Sequence, residues 1–466
     1  MNIGQFDWRT QGIYVIDVFM GADSAVDPVD AIRRATSDLG ARGIADAVRR
    51  LIRAGELTSG TKLPTVRQIA GALGVSPATV SAAWRELSDS TLIETRRRGG
   101  SIVRDTVPHA PKRTESIFNA SRRSRFTTDL SRIVPDPALL PKSDKAFVHA
   151  LAQPQVNEYS VAPITDSLRG ALELPAHHEA AMAVNGGYDG IALISRALIS
   201  PGDVVAVEEP TSPRLMDIIE WVGGRVVPVA CDDGGPSLSG LRDALQRRPR
   251  MFFFQSRAQS PSGHSVSRQR ILDMFAIVHP TDILTVEVDS QPGICQAPLE
   301  LLADLRPAHG LQVRSFSKSL GPDLRLGAVI GPTAVIDQII ALRSYDSGWT
   351  SRIIQEAAAW LLTDPRTRQG LRTAATTYAH RRHQLLEALR DRGFSPAGED
   401  GMVAWVPVRD EYAGVAVLAS HGIAASPGRP FYFRNPSRGH LRLSAGRLHS
   451  GFEHIAEVLL DAETAG

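Results

Sequence analysis

The chain has 466 residues, 43% of them hydrophobic and 22% charged, with a formal net charge of +2. This is the composition of a globular protein too long for one core, so two or three domains are expected. Cys231 and Cys295 cannot make a disulfide framework, and no Cys/His cluster has metal-ligand spacing in the sequence. The expectation is therefore a reducing cytoplasm and no structural metal. No run approaches the length of a membrane span and no secretory signal opens the chain, so no membrane partner is expected.

The small net charge conceals a division. Residues 41–128 hold sixteen Lys or Arg against seven Asp or Glu, a surplus of nine that leaves the remainder at minus seven. A basic segment on an otherwise acidic protein predicts a polyanion partner for that segment alone.

Residues 1–40 form an N-terminal extension whose role the sequence does not give, with a short helix expected over Pro28–Asp38. Residues 41–104 are clearer. Ile44, Ala47, Val48, Leu51 and Ile52 recur at helical spacing. Pro64-Thr65 opens a second helix with Val66, Ile69, Ala70 and Leu73 on one face. Gly74-Val75 breaks it, Ser76 is a good N-cap and Pro77 suits the first helical position. The third helix turns Val80, Ala83, Trp84 and Leu87 inward. Two strands follow, 91–95 and 101–103, joined by Arg96-Arg97-Arg98-Gly99-Gly100.

Helix, glycine turn, helix and arginine-tipped hairpin make a winged helix-turn-helix. Lys62-Leu63-Pro64, Gly74-Val75-Ser76 and the Arg/Gly wing resemble GntR regulators over about sixty residues. Short polar side chains near the third helix's N-terminus, Thr79 and Ser81 with Ser76 before them, can reach base edges and phosphates of double-stranded operator DNA. Arg85 lies a turn further on. The resemblance adds Arg67 from the second helix, and Arg97, Arg98, Gly99 and Gly100 along a groove. Residues 105–128, rich in Pro, Lys and Arg, read as a basic linker.

Residues 129–466 alternate apolar strands and amphipathic helices, an α/β pattern. Strands are expected at 181–184, 204–207, 226–229, 251–254, 283–288, 313–315 and 327–330. A smaller α+β lobe is expected over about 378–466. Arg314-Ser315-Phe316-Ser317-Lys318 runs from a strand into a polar turn, and Arg325 follows seven residues past the lysine. A lysine amine can condense with an aldehyde, while Ser315, Ser317 and Arg325 can donate to one phosphate. This stretch resembles the lysine loop of fold-type I enzymes that use pyridoxal 5'-phosphate (PLP), in the form found in MocR-type regulators. The resemblance implies an aminotransferase fold over about 330 residues.

Asn185-Gly186-Gly187-Tyr188 ends a strand and opens a helix, an anion seat that matches the family's phosphate loop. The ring side departs from the family. Ser212 stands where an aromatic stacks on the pyridine. Ser260 stands where an asparagine meets the phenolic oxygen. In Val286-Glu287-Val288-Asp289-Ser290 the simplest alignment puts Val288 in the position of the carboxylate facing the pyridine nitrogen, with Asp289 or Glu287 serving only through a change of register or a bulge. Ser290 then replaces a phenol. Arg442 falls where the family binds a substrate carboxylate, and Arg214 is a weaker candidate. Aminotransfer needs the protonated ring as an electron sink, so this erosion predicts a sensor rather than an enzyme.

The reading is thus a homodimeric MocR-type transcription regulator that senses an amino-acid-like effector, whose capture displaces Lys318 from PLP. The alternatives are an active aminotransferase with a DNA-binding head, and a regulator whose pocket has given up PLP.

Overall fold

In the computed structural model the described residues are 27–53, 56–58, 60–89, 92–96, 100–103, 113, 126–154, 156–157, 159, 162–175 and 180–464. These residues fall into two units, one up to residue 103 and one from residue 113.

Local capping signals set the helices of the first unit. Helix α1 (Pro28–Ala35) starts after Asp27, whose side chain accepts from the Val29 amide. Helix α2 covers Ala41–Arg53. Helix α3 (Val66–Leu73) opens with a reciprocal box in which Thr65 caps the Gln68 amide and Gln68 returns to the Thr65 amide. It closes on Gly74 at φ 67°, the left-handed cap glycine favours. Helix α4 (Pro77–Asp89) starts on Ser76, whose hydroxyl accepts from the Thr79 amide at 3.1 Å.

Strands β1 (Ile93–Arg96) and β2 (Gly100–Val103) pair antiparallel, and Lys62 bridges to Ile102 on the hairpin's other edge. The core takes Ile44, Val48, Ile69, Val80, Trp84 and Leu87, as the periodicity predicts, together with Val103 of the hairpin. It also takes in Ala31 and Ile32 of α1, so the helix whose place was open in the sequence packs as an element of the head.

The second unit is built on an eight-stranded sheet. Its order is 180–184, 327–331, 310–315, 284–289, 251–254, 204–209, 225–232, 235–236. The strands from 310–315 to 225–232 run parallel, whereas 327–331 is antiparallel to both neighbours. Parallel strands are covered on both faces and so read as continuous apolar runs; Met251–Phe254 is buried throughout. All seven expected strands form, each within a few residues of its expected bounds.

A smaller lobe holds a three-stranded sheet (Val403–Val408, Gly439–Ser444, Ser426–Pro427). Thr128–Asp129 pairs with Ile423–Ala424, and Leu130 enters the lobe's core. Helix Pro365–Asp391 begins before the expected 378, on an Asp364 cap. Its first half packs Leu371, Ala374 and Tyr378 into the large-lobe cluster, its second half Leu385, Leu386 and Leu389 into the small-lobe cluster. Of the expected linker, Arg113 is described: it pairs with Glu220 at 2.7 Å and Asp217 at 3.6 Å, on the second unit.

Candidate functional site

Ligands of parallel α/β sheets sit outside the carboxyl ends of the strands, and the lysine turn lies there. Strand Gly310–Ser315 ends at Ser315, a turn carries Ser317 and Lys318, and the chain returns antiparallel with Ser315 opposite Gly327. Phe316, Leu320, Leu324 and Leu326 anchor the turn in the core. Ser315, Ser317 and Lys318 remain half-buried. Arg325, at φ 47°, donates to the Asn185 carbonyl at 2.7 Å.

That bond sets the guanidinium against Gly186-Gly187. A Cβ on Gly186 would lie 2.8 Å from Arg325 Nη2, and one on Gly187 would lie 2.9 Å from the Ser315 Cβ. Gly186, at φ 99°, caps helix Gly187–Leu198 without a side-chain bond, leaving the helix N-terminus facing the same cup. The expected phosphate residues Ser315, Gly186, Gly187 and Arg325 therefore converge, with Ser317 hydroxyl 3.5 Å from that of Ser315. Burial lowers the Lys318 amine to about 8; Arg442 adds to this, while Cys295 and Asp289 pull the other way.

On the ring side strand parity decides. Val286 and Val288 pack in the apolar cluster beneath the sheet. The simplest alignment, with Val288 toward the ring, thus differs from the observed strand, which is regular with no bulge through Asp289. Glu287 is spent on the Ser256 hydroxyl and the Leu302 and Ala303 amides. Asp289, the strand's last residue, is buried and paired with Arg257 at 2.7 Å. Arg257 was not singled out in the sequence, since no spacing rule joins it to Asp289.

Ser212 is not alone at the stacking position. The Tyr188 hydroxyl lies 2.6 Å from Ser212 Oγ, and the Arg214 guanidinium lies 4.6 Å above the Tyr188 ring. The sequence places Tyr188 in the glycine turn but does not connect it with Ser212 or Arg214. Ser260 is held through its backbone by Gln255. Arg442 is buried, donates to the Ser131 carbonyl and stacks over Phe431 at 4.7 Å, while its Nε has no hydrogen-bond partner among the described residues. Burial brings its pKa down to about 10.

In the head, Arg67, Ser76 and Arg85 are exposed, and Thr79 and Ser81 are half-buried. Ser76 and Thr79 hydroxyls lie 2.8 Å apart, so part of their bonding capacity is spent on the cap. Gly100, at φ 80°, is exposed. Arg97, Arg98 and Gly99 fall outside the described residues, as does the pair His177-His178.

Residues 129–459 match the family described as aminotransferase class I and II. The chain belongs to that family. Residues 41–103 match the bacterial regulatory proteins of the gntR family, so this family member carries the two-part build of MocR-type regulators. It is 28% identical over 426 residues to the vitamin B6 salvage pathway transcriptional repressor PtsJ of Salmonella typhimurium, covering 88% of this chain and 95% of that one. It is 23% identical to the probable rhizopine catabolism regulatory protein MocR of Rhizobium meliloti, over 91% and 94%. An archaeal alanine:glyoxylate aminotransferase shares the fold, with a TM-score of 0.69 at 20% identity over 78% of this chain and 97% of that one.

The class I and II domain is a PLP-binding fold, and the residues present fit that group. Two glycines leave the volume that a Cβ would fill, three donor types face it, and a lysine of lowered pKa stands beside it. Asp289, at the carboxyl end of its strand, is already engaged by Arg257.

Proposed function

We propose that this chain is a cytoplasmic, homodimeric transcription regulator whose head grips operator DNA and whose aminotransferase domain reports a small ligand through PLP at Lys318. The convergence of Ser315, Gly186-Gly187 and Arg325 on one cup beside a half-buried lysine carries this reading. When bound, PLP supplies an aldehyde carbon for amine capture and an electron-withdrawing ring. Gly186, Gly187, Ser315, Ser317 and Arg325 would hold the phosphate. Lys318, neutral in part at pH 7, holds the aldehyde end. Arg442 offers a bidentate fork to an effector carboxylate. Dimerisation gives two heads for two half-sites. Effector binding shifts the population of head arrangements only by its differential affinity for them.

Arg257 on Asp289 argues against turnover. A carboxylate sharing its charge with a guanidinium is a weaker partner for a pyridine proton, and carbanion chemistry needs that proton. The same pair favours a second reading, in which PLP binds reversibly and its own concentration is the signal. The name of the PtsJ relative points the same way.

The test is absorbance and borohydride trapping of the purified chain with PLP, beside operator binding. Trapping of PLP at Lys318 is expected, along with loss of ligand-responsive operator binding in Lys318→Ala. Unchanged ligand response in that variant, or sustained turnover of amino acid to keto acid, would overturn the proposal. Operator affinity that follows PLP alone, with no added amino acid, selects the second reading.

A further inference from the structure

We propose that Glu208, Cys231 and His264 form a divalent-metal site of the zinc type, at the carboxyl edge of the sheet and apart from the lysine cup. Glu208 comes from strand Val204–Glu209 and Cys231 from its parallel neighbour Arg225–Asp232. His264 comes from the segment that follows strand Met251–Phe254. One donor atom from each lies within 4.8 Å of the other two.

Hydrogen bonding leaves this cluster unsatisfied. Glu208 and His264 are 1% and 5% exposed. Glu208 Oε1 accepts from the Gln255 amide at 3.0 Å and from Gln255 Nε2 at 3.1 Å. Glu208 Oε2 and His264 Nε2 have no hydrogen-bond partner among the described residues, and they face one another at 3.9 Å. Buried polar atoms are nearly always paired, so two orphans aimed at one point call for a ligand between them. The gap is too long for a hydrogen bond and wider than the ~3.3 Å ligand–ligand edge of a tetrahedral zinc site, so the two side chains would close by about half an ångström around the ion.

The surrounding bonds prepare His264 to coordinate. Gln259 Nε2 donates to the Pro210 carbonyl at 2.6 Å, which turns its Oε1 toward Ser262. That oxygen accepts from the Ser262 amide at 3.0 Å and from the Ser262 hydroxyl at 2.8 Å. With its proton committed there, Ser262 Oγ accepts from His264 Nδ1, 2.6 Å away. In the tautomer this bonding favours, the imidazole proton is on Nδ1 and Nε2 presents a bare lone pair toward Glu208. Ser262 fixes the histidine and Gln255 fixes the carboxylate, the outer-shell arrangement of metal ligands. Gly235 keeps the space open: at φ 100° it would place a Cβ 3.2 Å from His264 Nε2.

A carboxylate oxygen, a neutral imidazole and a thiolate match zinc better than the all-oxygen sites of magnesium or calcium. Burial holds the Cys231 thiol and the Glu208 carboxyl toward their neutral forms, so the ion would displace their protons on binding; the two resulting anionic donors offset the dication, and water completes the fourth position. The ion would tie the segment bearing Ser260 to the strand that leads into Ser212. This inference does not depend on PLP at Lys318.

The experiment uses the full chain, free of any histidine tag, loaded with zinc and dialysed, with metal measured by mass spectrometry. One equivalent per chain is expected, with loss in Cys231→Ala and His264→Gln. Ser262→Ala, which removes only the outer-shell bond, should weaken zinc binding by about 10- to 100-fold. Cobalt loading should give a sulfur-to-cobalt charge-transfer band, read as a difference from zinc-loaded protein at equal PLP content. Wild-type protein that retains no zinc, variants that retain it equally, or a cobalt spectrum without the sulfur band would each overturn the proposal. The cobalt spectrum of the wild type decides if the variants fail to fold.

Discussion

The surroundings of Lys318 disfavour its charge. Burial is the largest influence, and the Arg442 guanidinium acts in the same direction. At pH 7 an amine titrating at about 8 is neutral in about one molecule in ten, against fewer than one in a thousand for an ordinary lysine. Only the neutral amine attacks an aldehyde. PLP attachment should therefore accelerate about tenfold per pH unit up to about pH 8 and level off above it. Stopped-flow absorbance measures this, and a rate still climbing steeply beyond pH 9 would show an unperturbed lysine. The residues of this cup were legible because one stretch of sequence, with a glycine turn, holds them all. Arg257 with Asp289, and Glu208 with Cys231 and His264, were not legible. Each joins segments that only the sheet order brings together.

At the scale of elements, strand parity shows what a closer reading could have given. Side chains alternate along a strand. Once Val286 and Val288 share the apolar face, Glu287 and Asp289 must share the other. The small lobe was harder to bound. The first half of helix Pro365–Asp391 packs through Leu371 and Ala374 amid threonines and arginines, a weak apolar stripe. Helix α1 poses the same difficulty in eight residues, for its few apolar side chains do not say which domain receives them. The structure places Ile32, fully buried, in the head. Ile32→Ala should therefore destabilise the head by about 2–5 kcal/mol. Denaturant unfolding followed through Trp84 fluorescence reads this. A change under 1 kcal/mol, on the order of a surface substitution, would mean that α1 is dispensable.

Across the whole molecule, the charge division, the two motifs and the change from helical to α/β patterning gave an expectation of two or three domains with a basic linker over 105–128, and the chain divides into two units. The structure gives each its own apolar cores. A chain with separate cores need not unfold as one two-state system, and a ligand stabilises only the unit that binds it. At about one hundred times its Kd, PLP adds about 2.7 kcal/mol to the stability of the unit holding Lys318. Calorimetry of the full chain should resolve two transitions. PLP should move the transition of the aminotransferase unit upward by a few degrees and leave that of the head in place. Ile32→Ala should do the converse, lowering the head's transition alone. A single transition displaced as a whole by both changes would show that the units fold as one body. PLP would then reach the head through shared stability, with no shift between head arrangements required.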